Sequence, residues 1–523
     1  MRGTVAAEAA VGSGGGGGAA GLARAAGVTV GLSIAGSVLG LARDQAIAHL
    51  FGAGAESDAF LVAWTVPEVA ATVLIEDAMA LLMVPAFSAA LARGAGTGDV
   101  VRGTLPRLLA LLGVLSAALV AGAPQMVDVL APGLADPSAA VACTRLTAVS
   151  VFTFGLAGYL SAALRAHRRF LPPAAIYVAY NVGIVATLLA LHGRYGIRAA
   201  AAGVAVGGIL MVAVQLPSAL VELRGNRPAL DTQAPPTRGL GLALLAPVVL
   251  FTVSRQAQVL VERFFAAPLA AGAISHLNYA QKVAQLPMAL SVMICTVTFP
   301  AVSRALAEGD RDRARRRVER DLALVCVVVL IGSAYVIACA PQITEVLFQR
   351  GEFTAADTAA TASVMRVYAL GLLGQSLVGA LVRPYFSTGR PTWYPAAAMA
   401  VGLLVTAVAD AAAVGRWGAY GIAAGNAAGI TLTAGLLLRG LGAHSLAVRA
   451  RTIAPGLART VLAAAAATPA GALVAARAPG ALAAVVGCAA VVPAVFALAA
   501  FVLRVPELPY LLATVTRKAA DDR

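Results

Sequence analysis

Between residues 26 and 503 the chain passes through fourteen apolar runs, and that repetition leaves little choice of fold. A helix that crosses a bilayer needs about 20 consecutive, mostly apolar residues. The runs lie near 26–48, 58–90, 106–131, 145–164, 172–192, 199–221, 240–262, 272–303, 322–341, 359–382, 392–414, 418–438, 460–476 and 481–503. With 60% hydrophobic and 12% charged residues and a mean hydropathy of +0.84, the composition lies beyond that of a soluble globular chain. The expected class is an all-α polytopic membrane protein with about 14 transmembrane helices.

Charge between the runs sets the topology. With the N-terminus inside, the inner segments hold 28 Lys and Arg, the outer ones hold 6 (Arg263 and Arg350 among them), and 5 lie within runs: Arg43, Arg145, Arg255, Lys282 and Arg366. This is the positive-inside bias, and it puts both termini in the cytoplasm. The net charge of +14 is therefore explained by loop placement, without nucleic acid. Residues 1–24, with glycines from Gly14 to Gly18, read as a disordered cytoplasmic tail, and 506–523 as a second cytoplasmic tail. The second and eighth runs are over-long and carry Pro67 and Pro287, so each is expected to be kinked or broken. Cys143, Cys295, Cys326, Cys339 and Cys488 show no ligand spacing and read as small buried hydrophobes.

Three pairs of segments show an internal repeat. The block around Arg43 returns around Arg263, with Pro67 and Pro287 at the same spacing and Gly52 and Asp58 opposite Gly272 and Asn278. Val84 to Gly94 matches Phe299 to Gly309, and GRYG from Gly193 matches GRWG from Gly415, with Gly203 and Gly207 echoed by Gly425 and Gly429. The offsets of 220, 215 and 222 residues define two six-helix lobes, 25–230 and 231–445, plus an extra two-helix hairpin at 446–505. Six helices per lobe give both the same orientation, a parallel repeat, with the substrate expected between the lobes.

Ionisable groups inside apolar runs are the functional candidates, because lipid penalises them heavily. Arg43 and Asp44 stand first. As helix neighbours they point about 100° apart, so each could satisfy different partners. Arg255 and Glu262, two turns apart on one run, could pair with each other. No H-E-x-x-H motif, catalytic triad or phosphate loop is present, so the chain does not read as an enzyme.

The blocks G-x-x-R-D…F-G-A-G…D-A-F (Gly40, Arg43, Asp44, Phe51 to Gly54, Asp58 to Phe60), N-Y-A…L-P (Asn278 to Ala280, Leu286, Pro287) and L-F-Q-R-G-E-F (Leu347 to Phe353) resemble the MurJ/MviN family of lipid II flippases, in the multidrug/oligosaccharidyl-lipid/polysaccharide exporter superfamily. The resemblance covers residues of about 26–505. It implies a bacterial inner-membrane protein that moves an undecaprenyl-pyrophosphate-linked saccharide, lipid II, from the inner to the outer leaflet by alternating access. Membrane lipids and cell-wall synthesis proteins are the implied partners. It also implies a cationic cavity, to which Arg43, Asp44, Asp58, Glu76 and Lys282 correspond. Fixed Arg or Lys heads suit a pyrophosphate drawn through low dielectric.

The chain departs from the family where arginines are usual: Ser37, Ala71 and Thr72 are neutral, and Arg255 and Arg145 are the candidate replacements. The resemblance further implies a sodium site at Glu262, Thr406 and Asp410, incomplete because Thr406 replaces an amide; no other cofactor is implied. The competing readings are a flippase for another lipid-linked glycan, a cation-coupled drug exporter, which 6% aromatics disfavours, and a non-transporting membrane scaffold.

Overall fold

The computed structural model describes residues 16–92, 97–224, 242–289, 291, 308, 310–386, 392–444 and 450–505. Among these residues the chain is a succession of helices: α1 (Gly16–Phe51), α2 (Ala55–Ala70), a π-helical segment (Ala71–Ala78), α3 (Met79–Ala92), α4 (Gly98–Ala121), α5 (Ala123–Leu130), α6 (Pro137–Ala166), α7 (Leu171–Tyr195) and α8 (Arg198–Arg224). There follow α9 (Leu242–Ala266), α10 (Ala273–Ala284), α11 (Arg311–Phe348), α12 (Ala355–Phe386), α13 (Tyr394–Trp417), α14 (Ala419–His444), α15 (Ala450–Arg477) and α16 (Ala481–Val502). Eleven helices among the described residues are long and apolar enough to cross a membrane. Of the other three expected runs, the first lies in α1, the seventh in α9 with its Arg255, Glu262 and Arg263, and the eighth starts in α10 and continues outside the described residues.

Two expectations about helix ends change. Helix α1 begins at Gly16, inside the stretch expected to be a disordered tail, because the alanines and leucine from Ala19 onward are strong helix formers. Residues 1–15 of that tail, and the tail at 506–523, lie outside the described residues. The long second run does not break at Pro67. Helix α2 carries the proline, and the chain then widens into the π-helical segment before resuming as α3. A proline removes one N–H from the ladder, and wider turns re-satisfy the freed carbonyls without ending the helix. The eighth run does break: α10 stops at Gln285, two residues before Pro287.

The chain forms two compact units, one of 1–46, 66–123 and 142–237, the other of 47–65, 124–141 and 238–523. In the first, Phe87 meets Tyr159 edge-on with ring centroids 5.3 Å apart, and the Tyr159 hydroxyl reaches Thr104 at 2.9 Å. In the second, Phe251, Leu381, Tyr385, Met399, Leu437 and Leu441 form the centre of the packing. The hairpin α15–α16 belongs to this unit. A Cβ at its Gly471 would press on both Val492 of α16 and Ala338 of α11, so the three helices are in close contact there.

The repeat read from sequence is visible in the backbone. Gly52 and Gly272 are both left-handed, with φ of 60° and 95°, and Gly196 and Gly418 end α7 and α13 at 55° and 54°. Helices α7 and α8 touch through glycine: a Cβ at Gly207 would lie 2.7 Å from the Tyr180 carbonyl oxygen, and one at Gly203 would lie 2.9 Å from that of Ile184. Small residues that let backbones approach are a main source of helix association in lipid. Gly207→Ala is expected to cost about 1–3 kcal/mol through overpacking, whereas Gly193→Ala, whose Cβ meets nothing within 4 Å, should leave the melting temperature of the purified protein unchanged or slightly raised.

Candidate functional site

In the first unit the charge buried in α1 is held by α7. Arg43 Nε and Nη2 donate to Asp44 Oδ1 at 3.0 and 2.7 Å, and Nη1 donates to Asn181 Oδ1 at 3.0 Å. Asn181 in turn donates to the carbonyls of Gly36 (3.1 Å) and Tyr177 (2.9 Å). The long arginine arm folds back over the neighbouring carboxylate, so the two residues bind each other while Arg43 also reaches Asn181. Both residues are buried, at 8% and 7% exposure. A buried pair of this kind is neutral as a unit yet keeps a fixed, orientable guanidinium. One turn along α7, the Tyr177 hydroxyl donates to Glu76 Oε1 at 2.8 Å, where Glu76 is exposed on the π-helical segment. Arg43 and Glu76 therefore both bind α7, and Asp44 is tied to it through Arg43.

The positions where this chain lacks arginine contribute no charge. Ser37 Oγ donates to the Ser33 carbonyl of its own helix at 3.1 Å, and Thr72 Oγ1 to that of Glu68 at 3.3 Å. Asn181 and Tyr177 were not singled out from sequence. The signal available was a lone amide in the apolar run of α7, which lipid would otherwise penalise.

Asp58 lies in the second unit and caps a helix. Its Oδ2 accepts from the Gly272 N–H at 2.7 Å, and its Oδ1 from the Ser275 N–H at 2.7 Å and Ser275 Oγ at 2.6 Å. The carboxylate thus closes the N-terminus of α10, where unpaired N–H groups and the helix dipole favour an anion. Close backbone approaches surround it. A Cβ at Gly52 would lie 2.6 Å from the Glu352 carbonyl oxygen, one at Gly272 would collide with the Ala53 carbonyl, and one at Gly351 with the His49 carbonyl. The Glu352 N–H donates to His49 O at 2.9 Å. The F-G-A-G and R-G-E-F motifs are therefore two halves of one junction that only glycine permits.

Arg263, expected in an outer segment, is buried at 3% and binds α10, donating to Ile274 O at 3.3 Å and Asn278 Oδ1 at 3.2 Å. Repeat partners Arg43 and Arg263 thus each reach an asparagine on another helix.

A polar cluster joins α9, α13 and α14. Glu262 Oε1 accepts a short hydrogen bond from Asn426 Nδ2, so its carboxylate has an amide partner in addition to anything on its own helix. Asp410 and Thr406 are fully buried, and among the described residues neither Asp410 oxygen has a hydrogen-bond partner, nor does Asn426 Oδ1. Tyr368 of α12 is close enough to feel both carboxyl groups. Space for the cluster comes from glycine, since a Cβ at Gly425 would strike Asp410 and one at Gly429 would strike Thr406. At the repeat offsets, the first unit has Ala42, Ile184, Leu188 and Val204 where the second has Glu262, Thr406, Asp410 and Asn426. Ile184, Leu188 and Val204 are fully buried. Packing alone is satisfied by apolar residues, so the oxygens of the second unit answer a different need. Two carboxylates, an amide oxygen and a hydroxyl are hard donors that fit a small cation such as Na⁺. Asn426, absent from the sequence-derived set, completes the donors that Thr406 left short of an amide. Its signal was a lone amide between two small-residue stretches of α14.

Lys282 is half-buried on the last turn of α10, and Arg255 is exposed on α9. Beside α10 lies an apolar cavity of about 570 Å³, walled by Leu286, Pro287, Ile331 and Tyr335 and closed by Val485 and Pro493 of the hairpin helix α16.

Removing the Asp58 cap is expected to lower stability by about 1–2 kcal/mol, the range for a lost N-cap. Thermal unfolding of Asp58→Ala and Asp58→Asn checks this, with the asparagine variant recovering only part of the loss, because its single amide oxygen can take the place of Oδ1 toward Ser275 while its NH2 cannot accept from the Gly272 N–H.

The family described as Lipid II flippase MurJ matches residues 47–488. Among characterised relatives, the lipid II flippase MurJ of Burkholderia cenocepacia is 29% identical over 425 residues, covering 79% of this chain and 82% of that protein. The probable lipid II flippase MurJ of Vibrio cholerae is 26% identical, covering 78% and 81%. Among solved structures, a lipid II flippase MurJ in an inward closed conformation superposes with a TM-score of 0.73 at 20% identity, over 91% of this chain and 99% of that one. An inward-facing multidrug resistance MATE transporter of the MOP superfamily gives 0.60 at 12% identity, over 78% and 95%. The fold is thus shared with both structures, while the family match runs through nearly every helix described above, and this multi-pass membrane protein belongs to the MurJ family.

Proposed function

We propose that the chain is a lipid II flippase of the bacterial inner membrane, moving an undecaprenyl-pyrophosphate-linked saccharide from the inner to the outer leaflet with both termini in the cytoplasm. The observation that carries the reading is the buried Arg43 guanidinium, held by Asp44 and Asn181, in a chain whose family match spans residues 47–488. A dianionic head entering low dielectric needs a cation whose own desolvation has already been met, and Arg43 has that from Asp44. Exchange of the Asp44 oxygen for a phosphate oxygen frees the guanidinium's fork without leaving it unpaired. The neutral residues Ser37, Ala71 and Thr72 add no further cation in the first unit, so the head depends on Arg43. The apolar cavity beside α16 suits a polyprenyl tail, which requires walls without polar groups. Nothing in this scheme needs a catalytic step.

The cluster of Glu262, Asp410, Asn426 and Thr406 would hold a sodium ion, whose charge offsets the two buried carboxylates. Its role is to bias the second unit between two packings, since an empty pair of neighbouring carboxylates repels and a filled one binds. Asn426 keeps Glu262 in place, and the Gly425 and Gly429 surfaces keep the space open.

Replacement of a bacterium's own essential lipid II flippase by this chain is expected to sustain growth, and Arg43→Ala at equal membrane abundance to abolish it. Loss of growth with the unmodified chain, despite normal insertion, would overturn the substrate assignment. The ion assignment has a separate readout: thermal unfolding of the purified protein should shift upward in sodium chloride but not in choline chloride, and Asp410→Asn should remove the difference. Equal melting in both salts would overturn it.

A further inference from the structure

We propose that a pocket where α6 meets α7 holds the phosphate-bearing head of an anionic phospholipid, with Arg168 as its principal contact. The pocket has a volume of about 570 Å³ and lies wholly in the first unit, lined by Val28 and Thr29 of α1, Arg168, Arg169 and Leu171 at the α6–α7 junction, and Val221 near the end of α8. Its composition is that of an amphiphile's surroundings. Val28, Phe170, Leu171 and Val221 are 44%, 47%, 53% and 69% exposed, and two guanidinium groups stand beside them. Helices α6, α7 and α8 are all long and apolar enough to span a membrane, so their joined ends lie at a lipid headgroup layer.

The backbone at Arg168 is the observation that singles it out. Arg168 has φ of 59°, the left-handed region that side chains disfavour. The surrounding hydrogen bonds are those of a Schellman cap: the Arg169 N–H donates to Leu164 O at 2.8 Å and the Arg168 N–H to Arg165 O at 3.0 Å. The left-handed position of such a cap normally carries glycine, which adopts it without steric cost. The glycines that end α7 and α13, Gly196 and Gly418, have positive φ of another kind, with ψ of −140° and −133°, so they do not share this cap. An arginine kept where glycine fits better points to a use for its side chain.

The charges around it leave that side chain available. Arg169 Nε pairs with Glu222 Oε1 at 2.8 Å, which ties the neighbouring guanidinium to α8. Among the described residues Arg168 has no side-chain hydrogen bond or ion pair. The first turn of α7 carries Pro172 and Pro173, which have no N–H to offer, so an anion there relies chiefly on side chains. The pocket therefore combines an unsatisfied planar fork, which matches phosphate, with walls suited to acyl chains. A zwitterionic lipid would bring a second cation against Arg165, Arg168 and Arg169, whereas an anionic one would not.

Arg504 supplies the control. It is the other non-glycine residue with positive φ among those described, at 53°, and it ends α16 in the same kind of cap, with Val505 N–H donating to Ala500 O at 2.9 Å and Arg504 N–H to Phe501 O at 3.1 Å. It does not line the pocket. Full-length protein titrated with phosphatidylglycerol or phosphatidylcholine and read by native mass spectrometry should bind phosphatidylglycerol preferentially. Arg168→Gly should weaken that binding about tenfold, the loss expected for one charge-assisted contact, while the melting temperature holds or rises as the backbone strain is relieved. Arg504→Gly should relieve the same strain and leave phosphatidylglycerol binding unchanged. Unaltered binding in Arg168→Gly, or equal weakening in Arg504→Gly, would overturn the assignment, as would equal affinity of the unmodified protein for the two lipids.

Discussion

A polar group at membrane depth is costly unless the protein gives it a partner, because hydrocarbon offers none, and among the described residues Asp410 is the notable exception. The arrangement of the helices follows from that requirement as much as from apolar packing. Arg43 is tolerable only because α7 brings Asn181 to it, and Asn181 is tolerable only because it also serves the carbonyls of Gly36 and Tyr177. Asp58 is tolerable because the end of α10 presents two N–H groups and a hydroxyl. Each such contact fixes the rotation of one helix about its axis relative to another, which nonspecific contacts between apolar side chains do not do. In a lipid solvent the polar residues determine register and the apolar ones determine only that the segment stays buried.

The same scaffold, used twice, is then differentiated. Both halves place glycines on the helix that follows the GRYG or GRWG turn, and in both the glycines let that helix approach its predecessor. The first half fills the opening with Ile184 and Leu188, and the second fills it with Thr406 and Asp410. Duplication supplies an internal comparison: a position that is apolar in one copy and ionisable in the other, at identical burial, is not there for stability. The converse holds for Arg43 and Arg263, where both copies retain the charge but only the first pairs it with an adjacent carboxylate.

How much of this could be read from the sequence depended on range. The membrane-spanning runs and the repeat were legible because length without charge and the recurrence of Gly-Arg-aromatic-Gly are visible within short windows. Partners were not. Arg43 and Asn181 are separated by 138 positions and Asp58 and Gly272 by 214, and no local pattern states which way two helices are turned. For that reason the helical angle leaves open whether Arg43 and Asp44 bind each other, and charge counting puts Arg263 in an outer segment although it is buried against α10. Asn426 shows the middle case: a lone amide in an apolar run signals that it has a partner without saying which. The sequence around Pro67 signalled a disturbance correctly, but the choice between a break and a widened turn rests on how the freed carbonyls are satisfied, which only the three-dimensional arrangement decides.

The π-helical segment at Ala71–Ala78 carries a consequence for movement. A wide turn is a surplus residue accommodated within a helix, and such a surplus can pass along the chain one residue at a time, exchanging one set of hydrogen bonds for the next. Each step turns the residue it passes by about 100°, the angle between successive residues, and leaves the helix on either side as it was. The face presented by Ala71–Ala78 can therefore change while Asp58 stays bound to the end of α10 and Phe87 stays packed on Tyr159. A membrane span that reorients without unwinding has no moment at which its backbone must face lipid unpaired.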